Sequence, residues 1–327
     1  YTHFCGFGQL LAQWLHASGA NALFPMLEVD RSDPLTLARW RQHIGNLAGE
    51  SGVVEWDAAP FEDWCLLQRR LLNPGSAGGP VYELQLAPRH AALPQWEAGD
   101  LVQICAPAPS RPANHAESPE PLEAVDSVAP RSYSIASLTS EGHVRLLVRL
   151  HQRAEGGSGL ASGWLCQQAC VGDSIALRLR AHPRFRLADN LQRPLICIGN
   201  GTGLAGMRAH LKQRIDGGRH DNWLIFGERH AAHDFLLRDE LQHWQQQGQL
   251  AALDCCFSRD GGPQRYVQHA LAEQANRLRD WVSEGAAIYV CGSLQGMAGE
   301  VHSTLQTLLG SAALAQLQTS GRYRRDV

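Results

Sequence analysis

Residues 195–205 read Leu-Ile-Cys-Ile-Gly-Asn-Gly-Thr-Gly-Leu-Ala, an apolar run that leads into a glycine-rich turn. The run predicts a buried strand over Leu195–Ile198, and we expect a helix from Met207 to Ile215. Strict alternation of strand and helix is typical of a parallel, doubly wound sheet, so we expect such a domain over 191–327. Its other strands, each before a helical segment, are predicted at Trp223–Phe226, Leu250–Phe257 and Ala287–Cys291.

Short alternating runs, separated by turn signals, characterise the chain from residue 81 to residue 190. Many short strands of this kind favour a small antiparallel β-barrel. The segment from Pro107 to Pro130 is rich in Pro, Ala, Ser and Glu, which predicts a loop of low order. The Gly and Pro content of residues 49–80 predicts a linker before the barrel. The clearest runs are Val81–Leu86, Leu101–Ile104 and Val144–Val148.

Residues 1–48 predict a helix, a strand and a second helix. Apolar residues recur at helical spacing from Phe7 to Leu15, Leu23–Val29 is a short apolar run, and Asp33-Pro34 is a typical helix start. One strand and two helices cannot bury a core, so we expect this segment to be the tail of a larger α/β domain. The chain begins at Tyr1 without a methionine or a signal region, which suggests a fragment.

Composition excludes several functional classes for this chain of 327 residues. The net charge is close to neutral at -3, so nothing indicates a nucleic-acid partner. No apolar run approaches the length of a membrane span, and a membrane is expected only through segments outside this sequence. The nine cysteines show no metal-ligand spacing and favour reduced thiols in the cytoplasm, or on the cytoplasmic face of an anchored protein.

The glycine turn at Gly201, Thr202 and Gly203 lies where a first strand ends and a helix begins. Glycines there let the pyrophosphate of a dinucleotide approach backbone amides, although a plain tight turn also explains the pattern. Arg259 and Ser258 follow the third strand, where they suit a 2′-phosphate, and this favours NADPH over NADH. A solvated surface position is the alternative for that arginine. Further candidates within reach are Arg265, Tyr266 and Gln268.

The fourth strand ends at Cys291, which places a thiol at the same edge of the sheet. A buried core cysteine is the ordinary reading, but a small polarizable group at this edge could also lie beside a nicotinamide. The helix that follows carries Glu300, a candidate for a ribose or an amide contact. An exposed helix glutamate explains that residue equally well.

The run Arg131-Ser132-Tyr133-Ser134 combines a cation, an aromatic ring and hydroxyls, a set that suits a flavin. In a strand, Arg131 and Tyr133 share one face, and Ser134 faces the other way or presents its hydroxyl along the edge. An edge strand with a surface arginine is the alternative. The loop at Gly159, Ala161 and Ser162 opens a short helix and predicts a second anion cradle, or a flexible loop.

These motifs together resemble the ferredoxin-NADP reductase superfamily, most closely the reductase half of diflavin enzymes such as sulfite reductase flavoproteins and NADPH-haemoprotein reductases. The resemblance covers residues 81 to 327. It rests on R-S-Y-S-I-A-S, G-L-A-S-G-W-L, G-N-G-T-G-L-A, F-G-E-R-H, S-R-D, R-Y-V-Q, I-Y-V-C-G and R-Y-R-R-D-V, in family order.

The resemblance implies an FAD-binding barrel over 81–190 followed by an NADP-binding domain over 191–327. It implies that Arg131, Tyr133 and Ser134 hold FAD and that the loop Gly159–Ser162 holds its pyrophosphate. Residues 1–48 resemble the end of a flavodoxin-like FMN domain, so FMN is expected only with the upstream part of such a domain. The implied contacts to NADPH are Thr202, Ser258, Arg259, Tyr266, Gln268 and Glu300, and the implied hydride path is bounded by Ser134, Cys291 and Asp326.

Four departures from the family pattern are visible. The large insert between the barrel strands is missing, since about thirty residues separate Asp100 from Arg131. Asn200 and Gly206 replace residues that are usually proline, which is expected to loosen the glycine turn. Ser293 replaces a usual aspartate, and the sequence given stops at Val327, before the usual aromatic residue.

The sequence therefore predicts a flavoprotein reductase that takes a hydride from NADPH onto FAD and passes electrons to an acceptor. An FMN domain, a haemoprotein and a ferric chelate are the candidate acceptors. The alternative is a sensor or assembly module that binds nucleotide without turnover.

Overall fold

A computed structural model describes residues 5–29, 36–37, 39–40, 43, 59–107, 130–153, 156–261 and 266–326, with only the backbone described at 294–295. The chain divides into two compact units, 1–58 and 59–327.

The first unit contains helix α1, Gly6–Ala17, as the apolar spacing predicts. The strand predicted at Leu23–Val29 was wrong, because no strand forms within the described residues 5–29. Isolated strands are unstable without a neighbour to accept their backbone hydrogen bonds. The start predicted at Asp33-Pro34 lies outside the described residues, although residues 36, 37, 39, 40 and 43 are helical.

The second unit begins with a six-stranded sheet in the order β4-β3-β6-β1-β2-β5. All of its described strand pairs are antiparallel. The sequence runs predicted β2, β3 and β5. The strands are β1 (Glu62–Leu71), β2 (Val81–Pro88), β3 (Leu101–Cys105), β4 (Arg131–Ser134), β5 (Val144–Arg149) and β6 (Ser174–Arg180).

The linker predicted over residues 49–80 was wrong for its second half, because β1 lies inside the sheet between β6 and β2. Trp64 and Leu66 alternate along β1 and are completely buried. Because charged residues flank them, composition predicts a linker at this place and misses the alternation of a strand. The loop predicted between Pro107 and Pro130 falls almost entirely outside the described residues.

After a short helix, α2 (Leu160–Gly163), and β6, the chain enters a parallel five-stranded sheet in the order β11-β10-β7-β8-β9. This arrangement confirms the predicted doubly wound sheet. The strand order reverses beside β7, so the ends of β7 and β10 flank a topological switch point. The strands are β7 (Leu195–Asn200), β8 (Asn222–Glu228), β9 (Ala252–Phe257), β10 (Ala287–Cys291) and β11 (Tyr323–Asp326).

Helices cover the parallel sheet and build its core. The first, α3, is almost entirely buried and packs apolar side chains such as Leu204, Met207 and Leu211 against the sheet. Among the described residues, no helix is both long and apolar enough to cross a membrane. The helices are α3 (Leu204–Asp216), α4 (Ala231–Asp234), α5 (Arg238–Gln246), α6 (Val267–Glu273), α7 (Ala275–Ser283), α8 (Gly299–Leu309) and α9 (Ser311–Thr319).

An ion-pair network joins the first sheet of the second unit to helices α3 and α5. Arg208 on α3 is 3% exposed and donates to the carboxylates of Glu141 and Glu240. Arg145 on β5 contacts Glu240 as well and donates to Glu83 at 2.6 Å. Since α3 and α5 pack against the second sheet, the network fixes the first sheet against the helical layer of the second.

Candidate functional site

A cavity of about 920 Å³ lies between the two sheets of the second unit. Its walls come from the carboxyl ends of β7, β8 and β10 and from β4 and β5 of the antiparallel sheet. Ligands of open α/β sheets bind outside the carboxyl ends of the strands at a switch point, and the cavity occupies that position. Its volume lies within the range of cofactor sites.

The glycine turn after β7 forms one wall of this cavity. At Gly203, a Cβ would lie 2.3 Å from the carbonyl oxygen of Cys291, so only glycine lets the turn after β7 approach the end of β10 this closely. Gly201 has φ +55°, a conformation that favours glycine. The backbone of the turn is thus exposed to the cavity directly before the first turn of α3.

Asn200, one of the departures from the family pattern, ties the glycine turn to the loop after β10. Its Oδ1 accepts a hydrogen bond from the Ser293 backbone N–H at 3.0 Å. A Cβ at Gly292 would lie 2.1 Å from the same oxygen, and this glycine has φ +147°. The expectation that Asn200 loosens the turn stays a prediction, and this hydrogen bond is the contact that ties the side chain to the facing loop.

Ser134, Cys291 and Asp326 meet at one end of the cavity. The Ser134 hydroxyl donates to Asp326 Oδ2 at 3.2 Å, and the Cys291 thiol donates to the same oxygen at 3.9 Å. The parallel pairing of β10 with β11 aligns Cys291 with Asp326. Burial raises the pKa of Cys291 well above its ordinary value, and the nearby carboxylate of Asp326 raises it further. The thiol therefore stays protonated and remains a donor.

The other two residues of the predicted flavin run are placed differently. Tyr133 lines the cavity and also packs against the core of the antiparallel sheet. Burial raises the pKa of its phenol to about 12, so the ring stays neutral. Arg131 is exposed and lies outside the cavity lining.

The residues predicted for the adenosine end are only partly brought together. Ser258, Tyr266, Gln268 and Glu300 line the cavity, and the Tyr266 ring is 50% exposed. Arg259 is exposed next to Ser258 but is not part of the lining. Arg265 lies outside the described residues.

The loop of Gly159, Ala161 and Ser162 is separate from this cavity. Ala161 and Ser162 are buried in α2. The Ser162 hydroxyl accepts a hydrogen bond from the His151 backbone N–H at 3.1 Å. That contact ties the loop to the segment after β5.

Three charged residues of the cavity wall escaped the sequence reasoning. Arg149 at the end of β5 donates to the carboxylate of Glu228 at the end of β8, and Arg229 follows directly. Burial raises the pKa of the Glu228 carboxyl, and the opposing charge of Arg149 offsets this only in part. The motif F-G-E-R-H contains two of the three residues and was a signal for them. No motif in the neighbouring sequence indicates a role for Arg149.

Most of the parallel sheet lies in a region that matches a known protein family. Residues 197–303 match the family model of the oxidoreductase NAD-binding domain. The chain carries an oxidoreductase NAD-binding domain. The match begins within β7 and ends in α8, so the NAD-binding domain includes the glycine turn and Cys291.

Curated relatives match a longer part of the chain than the family model does. The chain is 37% identical over 216 residues to the sulfite reductase [NADPH] flavoprotein alpha-component of Yersinia pestis bv. Antiqua, covering 61% of this chain and 36% of that protein. It is 34% identical over 213 residues to the protein of the same name from Bacillus subtilis, covering 60% and 35%. The matches confirm the resemblance to the reductase part of diflavin enzymes. The chain spans just over a third of the length of these relatives.

The residues present fit a flavin and a nicotinamide dinucleotide. The glycine turn leaves no room for a Cβ at Gly203 and exposes its backbone to the cavity. On the opposite wall, β4 contributes an aromatic ring and the Ser134 hydroxyl. One cavity thus combines a wall suited to phosphate groups with a wall suited to a ring system.

Proposed function

We propose that this chain contains the reductase part of an NADPH-dependent flavoprotein, which transfers a hydride to FAD and passes electrons to an acceptor. One observation carries the proposal. The cavity joins the glycine turn of the NAD-binding domain to Tyr133 and Ser134 of the antiparallel sheet. Two redox rings need such a shared space to come within reach of each other.

The domain assignment is part of this proposal. We assign the antiparallel sheet to an FAD-binding barrel over 81–190, to which β1 is added, and residues 191–327 to the NADP-binding domain. Residues 1–48 are assigned to a flavodoxin-like FMN domain. The exposed apolar side chains of Phe7, Leu10 and Trp14 on α1 support this, because helices of α/β domains use such a face against their sheet.

At the flavin side, the Tyr133 ring offers a stacking surface and Ser134 a hydroxyl. Arg131 and the loop Gly159–Ser162 are proposed to contact the part of FAD that lies outside the cavity. This agrees with the exposure of Arg131 and with the separation of the loop from the cavity lining.

When bound, NADPH supplies a hydride that FAD accepts, and the electrons leave one at a time. The chain's own contribution is electrostatic. The Asp326 carboxylate stabilises positive charge at the nicotinamide, and the donors Ser134 and Cys291 fix its orientation. Since both donors share Oδ2, the other carboxylate oxygen is not used by either of them.

For the 2′-phosphate we propose Ser258 and Arg259, with Arg265, Tyr266 and Gln268 around the adenosine and Glu300 near the nicotinamide end. The position of Ser258, Tyr266, Gln268 and Glu300 in the cavity wall supports this set. Gly201, Thr202 and Gly203 are proposed to face the pyrophosphate.

The acceptor is proposed to be a redox protein. The relatives are named as components of sulfite reductase, which favours a haem subunit of such an enzyme, reached through an FMN domain. A ferric chelate is the other candidate. A cytoplasmic location agrees with the nine cysteines of the sequence.

Anaerobic reduction tests the proposed function. Purified protein with its flavin should be yellow, and NADPH should bleach the flavin absorbance near equivalence. NADH at the same concentration should reduce it more slowly. A colourless protein, or a flavin that NADPH leaves oxidised, would instead support the module that binds nucleotide without turnover.

A further inference from the structure

Arg149 lies in the cavity wall at the glycine turn, although it belongs to the antiparallel sheet. An atom attached to the Gly201 Cα in the position of a Cβ would lie 3.3 Å from Arg149 Nη2. The same position is 3.5 Å from Glu228 Oε1. The guanidinium therefore lies at the start of the turn that precedes α3, where an anion would be favoured.

Two acceptors hold the arginine in this position. Nη1 donates to the Gly79 carbonyl oxygen at 3.0 Å, and Nη2 donates to the Glu228 carboxylate. The Arg149 side chain is 30% exposed, whereas Glu228 is 5% exposed. Glu228 is held in turn by the Arg229 backbone N–H, at 3.1 Å from Oε2. The carboxylate is thus the fixed partner, and the arginine is the partner with an open side.

We propose that Arg149 binds the pyrophosphate of the dinucleotide and that Glu228 is a resident anion with which the pyrophosphate competes for this guanidinium. The inference rests on the proposed function, because it names a further binding residue of that site. Arginine suits the role, since its planar fork makes paired, charge-assisted hydrogen bonds to phosphate oxygens.

The charge balance around Glu228 supports the competition. Its neighbours are Arg149 as the opposing charge and Asp234 as a second carboxylate. A pyrophosphate brought to the same turn would add negative charge to this pair. Removing the carboxylate charge while keeping its shape should therefore favour the nucleotide, and removing the arginine should oppose it.

Calorimetric titration of the purified, flavin-containing protein tests the proposal with two probes. NADP+ contains the pyrophosphate and the 2′-phosphate, whereas 2′-AMP contains the 2′-phosphate alone. Arg149→Gln should weaken NADP+ binding about tenfold or more and leave 2′-AMP within about twofold of the unchanged protein. Arg153→Gln is the matched control, because Arg153 is an exposed arginine four residues further along the chain. It should bind both probes normally.

Glu228→Gln provides the second arm, and circular dichroism verifies the fold of each variant. The amide keeps an acceptor for Arg149 and lacks the charge, so NADP+ should bind several-fold more tightly, with 2′-AMP unchanged. The proposal is overturned if Arg149→Gln binds NADP+ normally or weakens both probes equally. It is also overturned if Glu228→Gln weakens NADP+, since the pair would then be a structural bridge. Failure of the unchanged protein to bind NADP+ would overturn the proposed function as well.

Discussion

Two regions connect the antiparallel sheet to the parallel sheet or to its helices, and they use charge in opposite ways. The first region, which we call the closed side, consists of Arg208 with Glu141 and Glu240. Arg208 is 3% exposed there, and both carboxylates contact it directly. At the cavity, Arg149 is 30% exposed and has one carboxylate partner. The first arginine has its charge fully matched within the protein, whereas the second keeps a side open to a ligand.

The difference separates stability from function within one interface. A buried, fully partnered arginine fixes two elements but has no donor to offer. A partly exposed arginine beside a glycine turn keeps donors for an anion. Substitutions at the closed side should therefore change the free energy of unfolding, and substitutions at the cavity should change binding or hydride transfer.

The largest effect is expected at the closed side, for Arg208→Ala. The variant leaves Glu141 without its cation and Glu240 with Arg145 alone. It also removes the donor to the Ala136 carbonyl oxygen, 2.6 Å away. Removing one partner of a buried ion pair costs about 3–5 kcal/mol. Urea denaturation, followed by circular dichroism, should show this loss in the free energy of unfolding.

Lys212→Ala on the same helix is the control. Lys212 forms an exposed pair with Asp216, four residues away, and such pairs contribute about 0.3–0.5 kcal/mol. Equal losses for the two variants would show that the closed side is no more than a solvated surface. The proposed division between a stabilising region and a functional region would then be wrong.

A smaller effect, confined to catalysis, is expected at the cavity for Asp326→Asn. The amide removes the negative charge next to Cys291 and Ser134 while it keeps the size of the side chain. The rate of flavin reduction by NADPH, measured by anaerobic stopped flow, should fall about 10- to 100-fold, as expected when one preorganised charge is lost. Neither the free energy of unfolding nor the NADP+ affinity should change greatly.

Asp189→Asn serves as the control, because Asp189 is an exposed aspartate outside the cavity lining. It should reduce its flavin at the normal rate. A normal rate in Asp326→Asn would remove Asp326 from the hydride path. A large loss of stability in Asp326→Asn would instead show that Asp326, like Arg208, stabilises the fold.

Local patterns predicted the parallel sheet well, because alternating strands and helices leave a periodic signal. They failed for β1, whose alternating Trp64 and Leu66 stand among charged residues, and for β11, a four-residue strand of mostly charged residues. Both strands depend on partners that the chain supplies elsewhere.

The candidate site shows the same limit. The glycine turn is local and could be recognised in the sequence. The pair of Ser134 and Asp326 joins residues 192 positions apart, and it was expected only through the family resemblance. Arg149 and Glu228 are 79 positions apart and correspond to no motif that names both. Contacts of this range arise from the packing of the two sheets, which no short pattern encodes.

The smallest effect concerns the buried face of α3, where His210 is completely buried. Its ring lies 5.0 Å from Phe185 and 5.0 Å from Tyr289, measured between ring centroids. Burial lowers the pKa of His210 to about 3, and the positive charge of Arg324 acts in the same direction. In the unfolded chain the imidazole of His210 has its ordinary pKa, near 6.5. Below that pH, unfolding therefore lets His210 bind a proton that it does not bind in the folded protein.

Stability should accordingly fall as the pH drops below about 6.5, and His210 should contribute about 1.4 kcal/mol of the loss between pH 6 and pH 5. His210→Leu removes the titrating ring and keeps an apolar side chain of similar length. Its free energy of unfolding should fall less steeply with acid than that of the unchanged protein, in urea melts at pH 7, 6 and 5. If the unfolding free energies of the two proteins changed in parallel with pH, the His210 ring would be solvated, and water would enter the core beside α3.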